Sequence, residues 1–360
     1  MLRVLHVLDK LCANSGVSAV VMNYYNKLEH DKLTFDFMVN EEPDADIKAD
    51  IEKNGSKIFI MPELKVSNKF KYIKALKAFY KENQYKIIHG HVANSAVFYL
   101  KYSKKTTPYR IIHSHNSKSS DVFVKRIRNR ILTRFIPLVA NRFMACSKVA
   151  ADFLFGKKND AVILNNAIDI GKFAYSRAKR EDIRNRLSIV DKQVIGHIGR
   201  FSAQKNHKFL IDVFCKLKKE NKNVVLLLIG DGDLYDNIKK IVKDLGVEDS
   251  VIFTGVVNNT QDYLSAMDVF VLPSLFEGLP VTGVEAQING LPCIFSDEVT
   301  NETKISDSVS FIPIGNAGLW VSEIERMLRI GRIENKDINT DRFDIDTQVK
   351  KLISYYGEMI

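Results

Sequence analysis

This sequence predicts two α/β domains in tandem, each a doubly wound parallel sheet with helices on both faces. Three observations lead there. Its 360 residues suit two domains of ordinary size better than one. Short apolar runs alternate with longer amphipathic stretches through both halves, the pattern of βαβ units. The run Val224 to Gly230 is apolar almost without interruption, as a strand buried on both faces must be.

The elements follow in order. Leu2 to Leu8 reads as a strand, Asn14-Ser15-Gly16 as a loop, and Val17 to Leu28 as a helix. Phe35–Val39, Ser56–Met61, Ile87–Gly90, Arg110–His115, Phe143–Ala145 and Val162–Asn165 read as further strands. Lys69 to Asn83 is a helix with Phe70, Ile73, Leu76, Ala78 and Phe79 on its apolar side. The second half repeats the scheme with strands at Val194–Gly199, Val224–Gly230, Val251–Thr254, Val269–Leu272, Pro292–Phe295 and Val309–Ile312. Helices fill the gaps at Lys208–Lys219, Leu234–Leu245, Thr260–Ala266 and Thr282–Asn289. The expected division is a first domain over 1–170, a polar, basic linker over 171–192 and a second domain over 193–340. The final segment, 341–360, reads as a helix packing back on the first domain.

Composition narrows the function. A hydrophobic content of 46% and a charged content of 27% suit a globular protein with a full core. A net charge of +10 favours an anionic partner: a nucleic acid, an acidic lipid surface or a phosphorylated substrate. Nucleic acid is set aside, because no platform of interleaved aromatic and basic residues is present. Cys12, Cys146, Cys215 and Cys293 are scattered, so they read as reduced thiols rather than a zinc site. No apolar run approaches the ~20 residues that span a bilayer. The N-terminus is broken by Arg3, His6 and Asp9 and does not read as a signal peptide. A cytoplasmic protein is expected.

In open α/β sheets ligands bind beyond the carboxyl ends of the strands. Two constellations stand there. Gly199-Arg-Phe-Ser-Ala-Gln-Lys-Asn206 follows the first strand of the second half and opens a helix. Arg200 and Lys205, beside free helix N–H groups, suit a diphosphate. Ser274 to Ala286, SLFEGLPVTGVEA, carries Glu277 in a loop above a strand end and Glu285 within the next helix. Two carboxylates there can accept hydrogen bonds from vicinal hydroxyls, as sugars and ribose require.

The pair of motifs, GRF–QKN and then FEGLP with Glu285 after four intervening residues, resembles the family 4 glycosyltransferases. LLIGDGDL, VIFTGVV, YLSAMDVFVLPS and GLPCIFSD look like family segments in the family order, so the resemblance covers nearly the whole chain. It implies a GT-B fold, with two Rossmann-like domains facing across a cleft, and transfer with retention of anomeric configuration. It implies that Arg200 and Lys205 hold the donor diphosphate, that Glu277 binds the donor sugar and that Glu285 binds the ribose. Thr254, Gly255 and Val256 match the strand end that meets the nucleobase. Gly278, Leu279, Pro280 and Val281 match the turn whose N–H groups approach the diphosphate or sugar. Gly16 matches a glycine loop under the donor phosphates, with Ser15 where the family has a second glycine. A family histidine facing the donor sugar matches His113 or His115, and His115 is favoured as the one nearer the strand end.

The expected partners are a nucleotide sugar, UDP-hexose or UDP-N-acetylhexosamine by resemblance, and a glycan or lipid-linked acceptor. No cofactor and no metal are expected. Asp231-Gly-Asp233 reads as a donor-side loop, not a metal signature, and its glycines lack the third of a dinucleotide fingerprint. His89 and His91 read as acceptor contacts before metal ligands. Asn165, Asn166 and Asp169 mark the exit from the first domain. Val122 to Val139 is a basic amphipathic segment with Arg126, Arg130 and Arg134 on one face. It suits either an anionic membrane surface, at the inner face of the cell membrane, or ordinary packing on the sheet. A sugar-nucleotide epimerase or a non-catalytic partner subunit of the same fold are the rival readings.

Overall fold

The computed structural model describes residues 1–13, 15–115, 131–333, 338 and 340–360. They form two compact units, Met1–Ala167 with Ile345–Ile360, and Ile168–Asp344.

The first unit is built on seven strands: β1 Leu2–Val7, β2 Leu33–Val39, β3 Ile58–Ile60, β4 Ile87–Gly90, β5 Tyr109–Ser114, β6 Arg142–Ala145 and β7 Val162–Ile163. They pair in parallel in the order β3-β2-β1-β4-β5-β6-β7. The chain therefore leaves β1 in both directions, and the β1–β4 boundary is a topological switch point. β2 is buried at every residue, including Asp36, which accepts hydrogen bonds from Arg3, the Lys57 amide and the Tyr85 hydroxyl. That is how a carboxylate sits inside a sheet without an orphaned acceptor.

The second unit carries β8 Gln193–Ile198, β9 Val224–Ile229, β10 Val251–Gly255, β11 Val269–Leu272, β12 Cys293–Ser296 and β13 Val309–Ile312. Their order is β10-β9-β8-β11-β12-β13, again all parallel, with the switch point between β8 and β11. β9, VVLLLI, is buried throughout, as its unbroken apolar run requires. Trp320 seals this core, its indole N–H donating to the Pro313 carbonyl at 3.0 Å.

Two expected boundaries are corrected. Residues 171–192 are not a linker. They carry the helix Arg177–Arg186 and belong to the second unit. The charge that suggested a solvated connector is structural. Arg180 and Arg184 each donate to Asp268, at 2.5 and 2.6 Å, and to backbone carbonyls at the end of the helix Thr260–Ala266, where the axial dipole favours cations. The second unit also reaches past 340, because the Ile168 amide donates to the Phe343 carbonyl at 2.8 Å. The last helix runs Ile345–Gly357 and belongs to the first unit, with Tyr356 wholly buried in it. Among the described residues, no helix is long and apolar enough to cross a membrane. Most of the expected amphipathic segment, with Arg126 and Arg130, lies outside the described residues. Its described end leaves Ile131, Phe135 and Leu138 exposed.

Candidate active site

In the second unit, the chain leaving β8 and the chain leaving β11 meet at the switch point. The Leu275 amide donates to the Gln204 carbonyl at 2.8 Å, and Gln204 Nε2 donates to the Phe276 carbonyl at 2.9 Å. This stitching brings Lys205 Nζ to 2.6 Å from Glu277 Oε1. The pair is mostly buried, with side chains 15% and 9% exposed. Gly199 leaves room beside the lysine: a Cβ on it would stand 3.0 Å from His197 Nε2 and 3.2 Å from the Lys205 stem. Asn206, at φ +54°, turns the chain into the helix His207–Glu220.

Arg200 stands apart from that pair. Its side chain is half exposed, and its guanidinium reaches both Asp233 oxygens at 3.3 Å. The glycines around Asp231 have a steric reason. Gly230 has φ +132°, and a Cβ on it would meet the Gly199 carbonyl oxygen at 2.2 Å. The β9 loop thus crosses the β8 loop backbone to backbone, and the Arg200–Asp233 contact lies above that crossing.

Beyond Glu277, Leu279 is buried and Pro280 caps the helix Val281–Ile288. Proline brings no side-chain acceptor to the cap, and the Gly283 and Val284 amides donate to its carbonyl, so it is the N–H groups of Val281 and Thr282 that keep their affinity for an anion. Glu285 lies in the second turn. Burial pushes its carboxyl up to about 7, against a smaller opposing effect of Lys172. At the end of β10, Thr254 Oγ1 donates to the Gly255 carbonyl at 2.9 Å, Gly255 has φ +69°, and Val256 is exposed.

Behind Lys205 lie two histidines that the sequence reading passed over. His197 Nδ1 bonds the Val271 carbonyl at 2.8 Å, and His207 stacks on Phe201 with ring centroids 4.0 Å apart. Burial holds them down to about 4 and about 2, and Lys205 adds to both shifts. The lysine is therefore backed by neutral rings, and its counter-charge is Glu277.

The first unit gathers its own cluster at the β1–β4 switch point. His113 and His115 stack at 4.2 Å along β5 and the residue after it, and His89 and His91 stack at 4.5 Å along β4 and the residue after it. His6, from β1, joins them by a 3.0 Å contact between its Nδ1 and His91 Nε2. His91 and His115 are half-buried at the rim, and the other three are buried. Burial first and neighbouring rings second hold His89, His91 and His113 well below the usual histidine range. Burial holds His6 at about 3 and His115 at about 4, the latter opposed by a hydrogen bond to Asn166. Nearby, Ser15 caps the helix Gly16–Tyr25 by accepting from the Ser18 amide, which explains a serine where a glycine loop was expected. A Cβ on Gly16 would meet nothing within 4 Å, so the space beside it is open.

Two trios of these imidazoles, His6-His89-His91 and His91-His113-His115, bring one nitrogen each within 4.8 Å of one another. Neutral imidazoles are good ligands for late transition metals. The stacked pairs, however, hold their ring planes nearly parallel, at 17° and 23°. Lone pairs lie in those planes, so they do not converge on one ion without rotation of the rings.

A cavity of about 1070 Å³ in the second unit lies elsewhere, at the amino ends of β8 and β11, lined by Tyr175, Arg180, Arg184, Lys192, Asp268 and Arg332. Its guanidiniums are committed to carbonyls and Asp268, and Arg332 also stacks over Tyr175 at 4.3 Å. It is the hidden side of a structural cluster, not the site.

Residues 179–340 match the family described as glycosyl transferases group 1. Over 376 aligned residues, covering 99% of this chain and 96% of its relative, the sequence is 32% identical to EpsF of Bacillus subtilis (strain 168), which carries the name of a glycosyltransferase. The chain belongs to the group 1 glycosyl transferases. It is also 27% identical, over 99% of both chains, to CapH of Staphylococcus aureus, named as a glycosyltransferase of capsular polysaccharide biosynthesis. Its fold is that of Anabaena HepE, whose crystal structure holds UDP-glucose: the TM-score is 0.80, with 17% identity over 99% of this chain and 100% of that one. The fold of this glycosyltransferase is therefore GT-B. Arg200, Lys205, Glu277, Glu285 and the 278–281 turn all fall inside the stretch that matches the family.

Proposed function

We propose that the chain transfers a hexose or N-acetylhexosamine from a UDP-sugar, with retention and without metal, to a glycan or lipid-linked acceptor in surface polysaccharide or glycolipid synthesis. The observation that carries this reading is the buried Lys205–Glu277 pair beside the helix N-terminus at the β8–β11 switch point. A diphosphate needs a desolvated cation and N–H donors aimed at the charge that grows on it as the sugar departs. Lys205, Arg200 and the turn through Val281 supply them. Glu277, held by Lys205, receives sugar hydroxyls. Glu285 receives the ribose hydroxyls once its carboxyl ionises, and the backbone of Thr254 to Val256 meets the base. Gly16 lies under the donor phosphates, and His115 takes a sugar hydroxyl. The departing phosphate oxygen accepts the acceptor's proton, so no carboxylate nucleophile is required.

Docking on an anionic inner membrane surface completes the reading. It is supported by the net charge and by the helix Lys69–Glu82, where Phe70, expected on the apolar side with Leu76 and Phe79, is instead 86% exposed on a face with Lys74, Lys77 and Lys81. The experiment is a screen of nucleotide sugars for hydrolysis and for transfer to lipid-linked acceptors, with and without EDTA, in the presence of anionic vesicles. Donor cleavage restricted to UDP-sugars and unaffected by EDTA is the expected outcome. Loss of activity in EDTA that magnesium restores, or a free epimerised UDP-sugar as product, overturns the proposal.

A further inference from the structure

The five imidazoles of the first unit are more than a cluster; they form one hydrogen-bonded chain. His115 Nε2 meets His91 Nδ1 at 2.8 Å, and His91 Nε2 meets His6 Nδ1 at 3.0 Å. These three rings lie edge to edge, with centroids 5.1 and 5.2 Å apart. A second row runs beside the first: His113 Nδ1 meets His89 Nε2 at 3.1 Å. The two rows are joined at their buried ends by one hydroxyl. Tyr356 Oη lies 2.5 Å from His89 Nδ1 and 3.3 Å from His6 Nε2. The chain thus reads His115, His91, His6, Tyr356, His89, His113. At its two ends lie His115 Nδ1 and His113 Nε2, both buried, and Asn166 is a hydrogen-bond neighbour of His115.

A neutral imidazole has one N–H and one lone pair, and a phenol has one O–H. That arithmetic leaves only two ways to satisfy every link. If Tyr356 donates to His89, each of the five rings carries its proton on Nε2. If Tyr356 donates to His6, each carries it on Nδ1. Passing from one state to the other moves a proton along each of the five links, while one proton arrives at His115 Nδ1 and one leaves His113 Nε2, with no change of net charge. Without the hydroxyl the two rows are independent, and mixed states cost nothing in hydrogen bonds.

We propose that Tyr356 is a positioning residue that couples the two rows, so that the five imidazoles share one common tautomer and the rim ring of His115 switches only together with the others. The last helix of the chain thereby acts on the rim through three rings, although Tyr356 is itself wholly buried.

The experiment is long-range ¹H–¹⁵N correlation spectroscopy of histidine-labelled protein at neutral pH, with Tyr356→Phe as the variant. In the parent, His6, His89, His91, His113 and His115 should show the same protonated nitrogen. In Tyr356→Phe, His89 and His113 should no longer share a pattern with the other three. Mixed tautomers in the parent overturn the proposal without recourse to any variant. An unaltered pattern in Tyr356→Phe overturns the role of Tyr356.

Discussion

At the carboxyl ends of β8 and β11 the second unit assembles ion pairs, Lys205 with Glu277 and Arg200 with Asp233. At the carboxyl ends of β1, β4 and β5 the first unit assembles imidazoles that burial keeps neutral. Both stand at a switch point of a parallel sheet, where the backbone opens room for a ligand. The same scaffold position therefore serves two chemistries. Charge suits a leaving diphosphate, while neutral donors and acceptors suit hydroxyls, which a fixed charge would orient but not discriminate. The difference also predicts opposite sensitivities. The charged site should fail when a partner is lost, and the neutral site when a proton is gained.

The sharpest way to break this comparison is Lys205→Ala. Turnover should fall ~10²-fold or more, the scale of losing one group that stabilises a leaving oxyanion. The melting temperature should fall too, because Glu277 loses its buried lysine partner, and breaking a buried pair costs about 3–5 kcal/mol. Arg200→Ala should lose turnover similarly but keep its melting temperature, since Arg200 and Asp233 are both open to solvent. Calorimetry and steady-state rates on the two variants separate the cases. Equal melting losses would mean that the lysine pair is not desolvated.

The neutral site sets the acid limit of stability. A histidine whose folded value is lowered is favoured uncharged in the fold, so its contribution is complete above 6.5 and is lost as pH falls towards the folded value. His115 and His6, at about 4 and about 3, place the window between about 6.5 and 3. Chemical denaturation of the parent should show stability falling steeply below pH 6.5. His6→Phe should make that slope shallower. A slope unchanged by His6→Phe would show that the buried ring is not what resists the proton.

Smaller effects should distinguish the two acids of the charged site. Glu285→Ala should weaken UDP binding by about 1–3 kcal/mol, whereas Glu277→Ala should spare UDP and damage transfer. Glu285 titrates near 7, and its ionised form is the acceptor of hydroxyls, so UDP affinity in the parent should rise with pH through that value. Isothermal titration of UDP from pH 6 to 8 tests this. Pairwise equal losses, or a flat pH profile, would merge the two roles.

Much of this was legible in the sequence, for identifiable reasons. The strands announced themselves because buried parallel strands are apolar end to end, as Val224–Ile229 is. Lys205, Glu277 and Glu285 were legible because each sits in a contiguous loop-to-helix motif. The linker was misread because Arg180 and Arg184 are matched by carbonyls and an aspartate more than 80 positions away. Composition cannot show such a pairing. The HxH pairs were visible as pairs, and strand alternation put each on one face. That His6 and Tyr356 complete them, 350 positions apart, follows only from the register of β1 with β4 and the return of the last helix.

That return has a consequence for biogenesis. Residues 345–360 belong to the first unit yet are synthesised after all of the second. During translation the first 167 residues must wait, their β1–β4 core lacking Tyr356, until the ribosome has made some 180 residues more, which at the usual 5–20 residues per second is roughly ten to forty seconds. The second unit is itself complete only at Asp344, immediately before the segment that closes the first, so the two units of this enzyme should mature late and nearly together.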